Sequence, residues 1–298
     1  MSNNFPPRNT AVLNSVLNAP LIVTAILGNT LVLAAILRTP SLRSPSIMLL
    51  CSLAVSDLLV GLVVQPVYFA YLQTEKDFLY QPLTVMAFSA CCVPLYTITA
   101  VSVDRFLALN YHMRYPTLMT THRAMKTSAI LWLVCFLLSL FSLWNKSFYF
   151  TSVAVNIVIC ILISTVCYIR IFRIVRQHQF QIYSQKKAVE SLNTENTQNM
   201  LRKKLYVINT FIYYIVMMMC YVPAFIGISI FVISPNSWTW SWMIAETVAF
   251  MNSSINPILY CWRHRELRAA VVKTARQMLR KKNYGKVIKI WFTRSFSF

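Results

Sequence analysis

Residues 85–110 read "VMAFSACCVPLYTITAVSVDRFLALN". The chain carries no charge between Asp77 and Asp104, and Asp104 is followed at once by Arg105. A run of that length exceeds the roughly 20 residues with which an α-helix crosses a bilayer. It ends in an acid and a base side by side, where such a helix would meet water. A charged pair at that edge can be satisfied in more than one arrangement, so it suits a switch as well as an anchor.

The same pattern recurs along the chain. Of its 298 residues, 57% are hydrophobic and only 12% charged, about half the charged share of a soluble globular protein. No charge lies between Arg8 and Arg38, between Lys126 and Lys146, or between Lys146 and Arg170. The stretch 44–74 contains Asp57 alone, and 205–262 contains Glu246 alone. The second is too long for one crossing and breaks at the turn formers of "SPNSWTW" (234–240). Seven spans are predicted, over 11–37, 46–72, 81–109, 127–144, 148–174, 204–233 and 239–262. The fold class is therefore an all-α membrane protein, a seven-helix bundle.

A net charge of +20 would suggest nucleic acid if it were spread evenly. With the amino terminus outside, however, only Arg8, Lys76 and Lys146 of the 28 Lys and Arg residues fall on the outer side. That is the positive-inside bias, so the charge reads as topology and contact with anionic lipid, with no nucleic acid partner. The carboxyl terminus then lies inside, in a protein of the plasma membrane. No cleavable leader is expected, because the first apolar run is too long and lacks a basic flank. All eight cysteines fall within or at the ends of predicted spans, which argues against an extracellular disulfide framework.

Residues 1–10 read as the extracellular amino terminus, 11–262 as the membrane domain and 263–298 as a basic cytoplasmic tail. The polar connection 175–203 reads as two helix extensions around a mobile middle. In the tail, "CWRHRELRAAVVKTARQMLRKK" (261–282) sorts apolar and basic residues at helical spacing, which suits a helix along the inner membrane surface. Asn145 opens an N-x-S sequon in a loop too tight to be a good glycosylation acceptor. No internal repeat is present, so the inverted repeats of many transporters are missing.

Six motifs stand in order: "LGNTLVL" (27–33), "LAVSDLLVG" (53–61), "SVDRFLAL" (102–109), Trp132, "CYVP" (220–223) and "SSINPILY" (253–260). Over about 20–270 the chain thereby resembles a rhodopsin-like (class A) G-protein-coupled receptor. The resemblance implies that Asp104 holds Arg105 at rest and that Arg105, once released, faces the G protein with Met113. It implies that Pro257 loosens helix 7 beside Asn256, that Tyr260 swings towards Tyr168, and that Tyr221 and Pro223 belong to the hinge of helix 6. It also implies a sodium site at Asp57, Asn252 and Ser253, with Asn29 and Asn256 nearby. The plain alternative is a polar knot between helices 1, 2 and 7, and Pro94, where relatives usually have a hydroxyl ligand, favours it. No other cofactor is expected.

A minute second outer loop, Tyr80 in place of the usual helix-3 cysteine and Cys160 in place of the helix-5 proline are similar to melanocortin receptors, in the branch with adenosine and cannabinoid receptors. The acids that melanocortin receptors use are replaced here by Val67, Tyr80 and Thr84, and the acid of amine receptors by Ala87. Ligand contacts are expected from Phe88, Cys91, Tyr221, Phe225, Trp242 and Glu246. The Glu246 acid either pairs with a cationic ligand group or is hydrated at the pocket mouth. Lys203 and Lys204 stand where some relatives place an acid that clasps the helix-3 Arg, so the resting state is expected to be weakly held. The predicted function is transduction of an extracellular small-molecule or peptide signal to heterotrimeric G proteins, with basal signalling. A non-coupling receptor-like partner and a transporter are the competing readings. An enzyme is not expected, since no metal-ligand cluster or nucleophile–base spacing occurs in any loop.

Overall fold

The computed structural model describes residues 8–74, 76–111, 114–188, 212, 215, 216, 218–230, 233 and 239–279. Those residues are helical almost throughout, and no strand occurs among them. We number the long helices α1 (Arg8–Arg38), α2 (Pro45–Thr74), α3 (Tyr80–Asn110), α4 (Thr121–Leu140), α5 (Lys146–Ala188), α6 (Met218–Ile230), α7 (Thr239–Arg263) and α8 (265–279). A π turn at Val60–Val64 interrupts α2, and a short helix, Tyr115–Leu118, lies between α3 and α4.

Local chemistry sets the ends. Pro45 occupies the first turn of α2, where its missing N–H costs nothing. Thr120 caps α4 by accepting from the Arg123 N–H at 3.3 Å, and Asn145 caps α5 by accepting from the Phe148 N–H at 3.0 Å. The Asn145 side chain is thus engaged in helix capping. Helix α4 begins six residues before the predicted 127, and α5 continues past the predicted 174 to Ala188. The apolar run marks the hydrocarbon, whereas a capped or uninterrupted helix carries on into water. The remainder of the 175–203 connection, most of 204–217 and the tail beyond 279 lie outside the described residues.

Among the described residues five helices are long and apolar enough, by length and composition, to cross a membrane: α1 through α5. Helix α6 is a shorter apolar helix among the described residues. Helix α7 buries Asn252, Ser253, Ser254 and Asn256, polar groups that lower its hydropathy without exposing them. Helix α3 runs through the middle, packed on α2, α4 and α5, while α1 packs on α2 and α7.

The burial pattern is the reverse of a soluble protein's. Asn18, Asn29, Ser56, Asp57, Gln65, Thr97 and Asp104 are each 0% exposed. Large apolar side chains such as Leu27, Ile130, Leu133, Leu162 and Val166 stand more than half exposed on the outside of α1, α4 and α5. Such a surface is stable only against lipid. The basic residues Arg38, Arg43, Arg105, Arg114, Arg123 and Arg263 gather at one end, called the basic end below. In the interior, Trp132 of α4 donates from Nε1 to Ser52 Oγ of α2 at 3.0 Å.

Helices α1 and α7 meet at Gly28, where a Cβ atom would lie 2.8 Å from Cγ and 2.9 Å from Cβ of Pro257. Proline has no N–H to lose contact with and glycine has no side chain, so the two backbones approach more closely than other residues allow. Gly28→Ala therefore overpacks this contact, at a cost of about 1–3 kcal/mol. The expected outcome is a lower melting temperature of the purified protein and less of it at the cell surface; an unchanged melting temperature would disprove the contact.

Candidate functional site

Three polar centres lie along the bundle axis. At the basic end Asp104 is fully buried and its carboxylate is the hub. Arg105 Nη2 lies 3.1 Å from Oδ2, with the Arg105 side chain 13% exposed. Ser46, in the first turn of α2, donates to the same oxygen at 2.8 Å. Tyr115, on the short helix after α3, donates from its hydroxyl to Oδ1 at 2.7 Å. Burial first, and then the Asp104 bond, push the Tyr115 phenol up to about 12, so it stays a donor at physiological pH. The expected ion pair is therefore present. Ser46 and Tyr115 were not foreseen, because a serine and a tyrosine 58 and 11 residues from the acid carry no local signal.

Also at this end, His264 joins α7 to α8. Burial first, then the charges of Arg263 and Arg105, push its imidazole down to about 3. Nearby, Ser102 of α3 donates to the Tyr168 hydroxyl of α5 at 3.0 Å. Tyr260 of α7 is fully buried in the central core. Met113 lies outside the described residues.

The second centre is Asp57. Asn256 Nδ2 donates to its Oδ2 at 2.8 Å, and the Ser253 hydroxyl faces the same carboxyl. Asn29 donates to the Ser253 carbonyl at 3.1 Å, tying α1 to α7. Asn252 departs from expectation: its Nδ2 reaches the Tyr221 hydroxyl of α6 at 3.4 Å instead of joining Asp57. The cause is height along the helix: Asn252 and Asn256 share a face of α7 but stand one turn, about 6 Å, apart, and Asn256 is the one level with the acid.

The third centre is a cavity of about 90 Å³ at the end away from the bases, lined by Phe88, Cys92, Leu95, Val153, Tyr221 and Glu246 among others. Of the expected ligand contacts, Phe88, Tyr221 and Glu246 line it. Phe225 does not; it packs on the central core, and Ala224 takes the lining position. Beyond Pro223 the helix presents the small residue to the cavity and turns the ring away by one helical step. Cys92 lines the cavity, while the side chains of Cys91 and Trp242 lie outside the described residues. Glu246 pairs with the Tyr68 hydroxyl of α2, and Phe250 packs edge-on against the Tyr68 ring at 5.6 Å.

Residues 28–146 match the family described as "7 transmembrane receptor (rhodopsin family)". The human melanocortin receptor 3 is 25% identical over 273 residues, 83% of this chain and 80% of that protein. These matches support a rhodopsin-like (class A) G-protein-coupled receptor. It is related to the melanocortin branch. Trace amine-associated receptor 7c of Rattus norvegicus is 26% identical over 285 residues, 84% of this receptor and 78% of that one. The human neuromedin-U receptor 2 is 33% identical over a shorter stretch of 123 residues, 40% of this chain and 30% of that protein.

The state of His264 in this receptor gives a pH dependence of definite sign. Its folded pKa, about 3, lies below the ordinary 6.5. As pH falls below about 6.5 the unfolded chain takes up a proton that the folded receptor refuses, so stability is lost towards acid. Between pH 7 and 5 the melting temperature of His264→Gln should fall less than that of the wild type; equal slopes would refute the half-buried neutral imidazole.

Proposed function

We propose that this receptor lies in the plasma membrane with its amino terminus outside and the basic end inside, and couples a small extracellular ligand to a heterotrimeric G protein. The observation that carries the coupling reading is the Asp104 hub. One buried carboxylate holds Arg105 while also accepting from Ser46 and Tyr115. Acceptor capacity is shared among three donors, so loss or movement of one redistributes the others. In this reading Arg105, once released, and Met113 meet the G protein, and Tyr168, Tyr221, Pro223, Asn256, Pro257 and Tyr260 relay the change. Basal signalling follows from Lys203 and Lys204, which cannot supply a second acidic clasp.

The ligand we propose is small and largely apolar with one cationic group. The cavity wall is apolar except at Glu246 and the Tyr221 hydroxyl, and Glu246 is its one ionisable acid; Ala87, at the place where amine receptors carry their acid, lines the same cavity. A cation is therefore met from α7 instead of α3. Relatives named for trace amines and for octopamine are among the similar proteins. At Asp57 we favour a polar tie between α2 and α7; a sodium ion there would draw on Asp57 Oδ1, Asn29 Oδ1 and Ser253, and Asn252, whose Nδ2 reaches Tyr221, also keeps its Oδ1 without a partner.

The coupling test is ligand-free cyclic AMP, with and without forskolin, at matched surface expression. A shift from the empty-vector level that Arg105→Ala abolishes is expected, and Tyr115→Phe, which removes one donor from Asp104, should enlarge it. No shift in cyclic AMP, calcium or G-protein dissociation would favour a non-coupling partner. For the ligand, a screen of small amines should yield activators whose potency drops about 10-fold or more in Glu246→Gln, from loss of a charge-assisted bond of about 1.5–3 kcal/mol. Activators insensitive to that change would overturn the cationic reading.

A further inference from the structure

Behind Glu246, on the side away from the cavity, α1, α2 and α7 enclose a second polar cluster. Two amides four residues apart on α1 face inward: Asn14 is 6% exposed and Asn18 is 0% exposed. Asn14 donates to the Tyr68 hydroxyl at 3.3 Å, and Asn18 donates to Thr247 Oγ1 at 3.1 Å and to the Asn14 carbonyl at 2.9 Å. Thr247 Oγ1 in turn donates to Asn14 Oδ1 at 3.0 Å. Tyr68 closes the ring onto the Glu246 carboxylate.

Two oxygens in this region have no hydrogen-bond partner. Asn18 Oδ1 is one, and Gln65, 0% exposed, has neither its oxygen nor its nitrogen engaged. Gln65 stands one turn from Tyr68 and one turn from Gly61, where an added Cβ would meet Ala25 and Ile26 of α1, so Gln65 lies on the α1 side of α2. A buried primary amide without partners is costly and calls for an occupant. Free carbonyl-type oxygens beside a carboxylate, with phenol and hydroxyl oxygens around them, are the donor set of a hard cation. Among the side chains of this cluster Glu246 is the one acid, so a single carboxylate sets the charge of the site. That charge matches a monovalent ion better than a divalent one.

We propose that Glu246, Tyr68, Asn18, Gln65 and Thr247 form a site for a small monovalent cation of the sodium class, in the outer half of the bundle. It is separate from Asp57, which lies eight residues from Gln65 along α2, about 12 Å at helical rise. Glu246 also faces the cavity, so a cationic ligand there would share its carboxylate with this site.

The test is the melting temperature of the full receptor in lipid nanodiscs, in sodium, potassium or choline chloride at equal ionic strength. The wild type and Asp57→Asn should both melt higher in sodium than in choline, and Gln65→Leu and Glu246→Gln should lose that difference. In choline Gln65→Leu should melt no lower than the wild type, because an apolar residue of similar shape removes the unpartnered amide; this shows that the variant folds. Sodium dependence that vanishes in Asp57→Asn, or that persists in both Gln65→Leu and Glu246→Gln, would overturn the proposal. So would a wild type indifferent to the cation, which would leave water as the occupant.

Discussion

Hydrocarbon offers no hydrogen bonds, and that constraint orders everything else in this receptor. Backbone N–H and C=O groups are satisfied within the helices, and most polar side chains of the described helices turn inward, where many find a partner. The result is a bundle that is oily outside and wired with polar contacts inside. Asp57 meets Asn256 and Ser253, Asn29 meets the backbone of α7, and Trp132 meets Ser52. Because dispersion and polar contacts, not expulsion of water, bring the helices together, small residues at close crossings matter more than large apolar ones. Gly28 against Pro257 is the tightest instance.

The charged groups are few, so each is placed where its energy can change with conformation. Asp104 shares its oxygens among Arg105, Ser46 and Tyr115, groups from α3, α2 and the loop that follows α3. A carboxylate with several competing donors is a natural point for exchange of partners, and its burial makes the exchange discrete. Glu246 is placed on the same principle at the other end. It is shared between the cavity and the amide-rich cluster of α1, so occupancy on one side bears on the other. Between them Asn252 touches Tyr221, which lines the cavity and lies two residues before Pro223 in α6. A movement of α6 at the cavity thereby reaches the polar centre of α7 through a side-chain contact.

Much of this was legible in the chain itself. Charge-free runs located the helices, the asymmetry of Lys and Arg suggested an orientation, and the six ordered motifs placed Asp57, Asp104, Arg105, Asn256 and Pro257 in one bundle. What stayed hidden depended on helical phase and on groups distant in sequence. Phe225 and Ala224 are neighbours, and only the rotation of α6 past Pro223 decides that the alanine lines the cavity. Asn252 and Asn256 look alike in sequence, and one turn of α7 decides which meets the acid. A sign of the α1 cluster was present, two asparagines four residues apart in an apolar helix, but nothing in their spacing says that Gln65, Tyr68 and Thr247 lie opposite.

By itself, then, the sequence determined the number and class of the helices, because hydrophobic length and charge placement act locally and survive without knowledge of packing. The tertiary structure alone decided which polar groups share an acid, which residues line the cavity and where amide oxygens are left without donors. Those outcomes follow from rotations of about 100° per residue and from helix crossings. A difference of one position along the chain there becomes a different wall of the bundle.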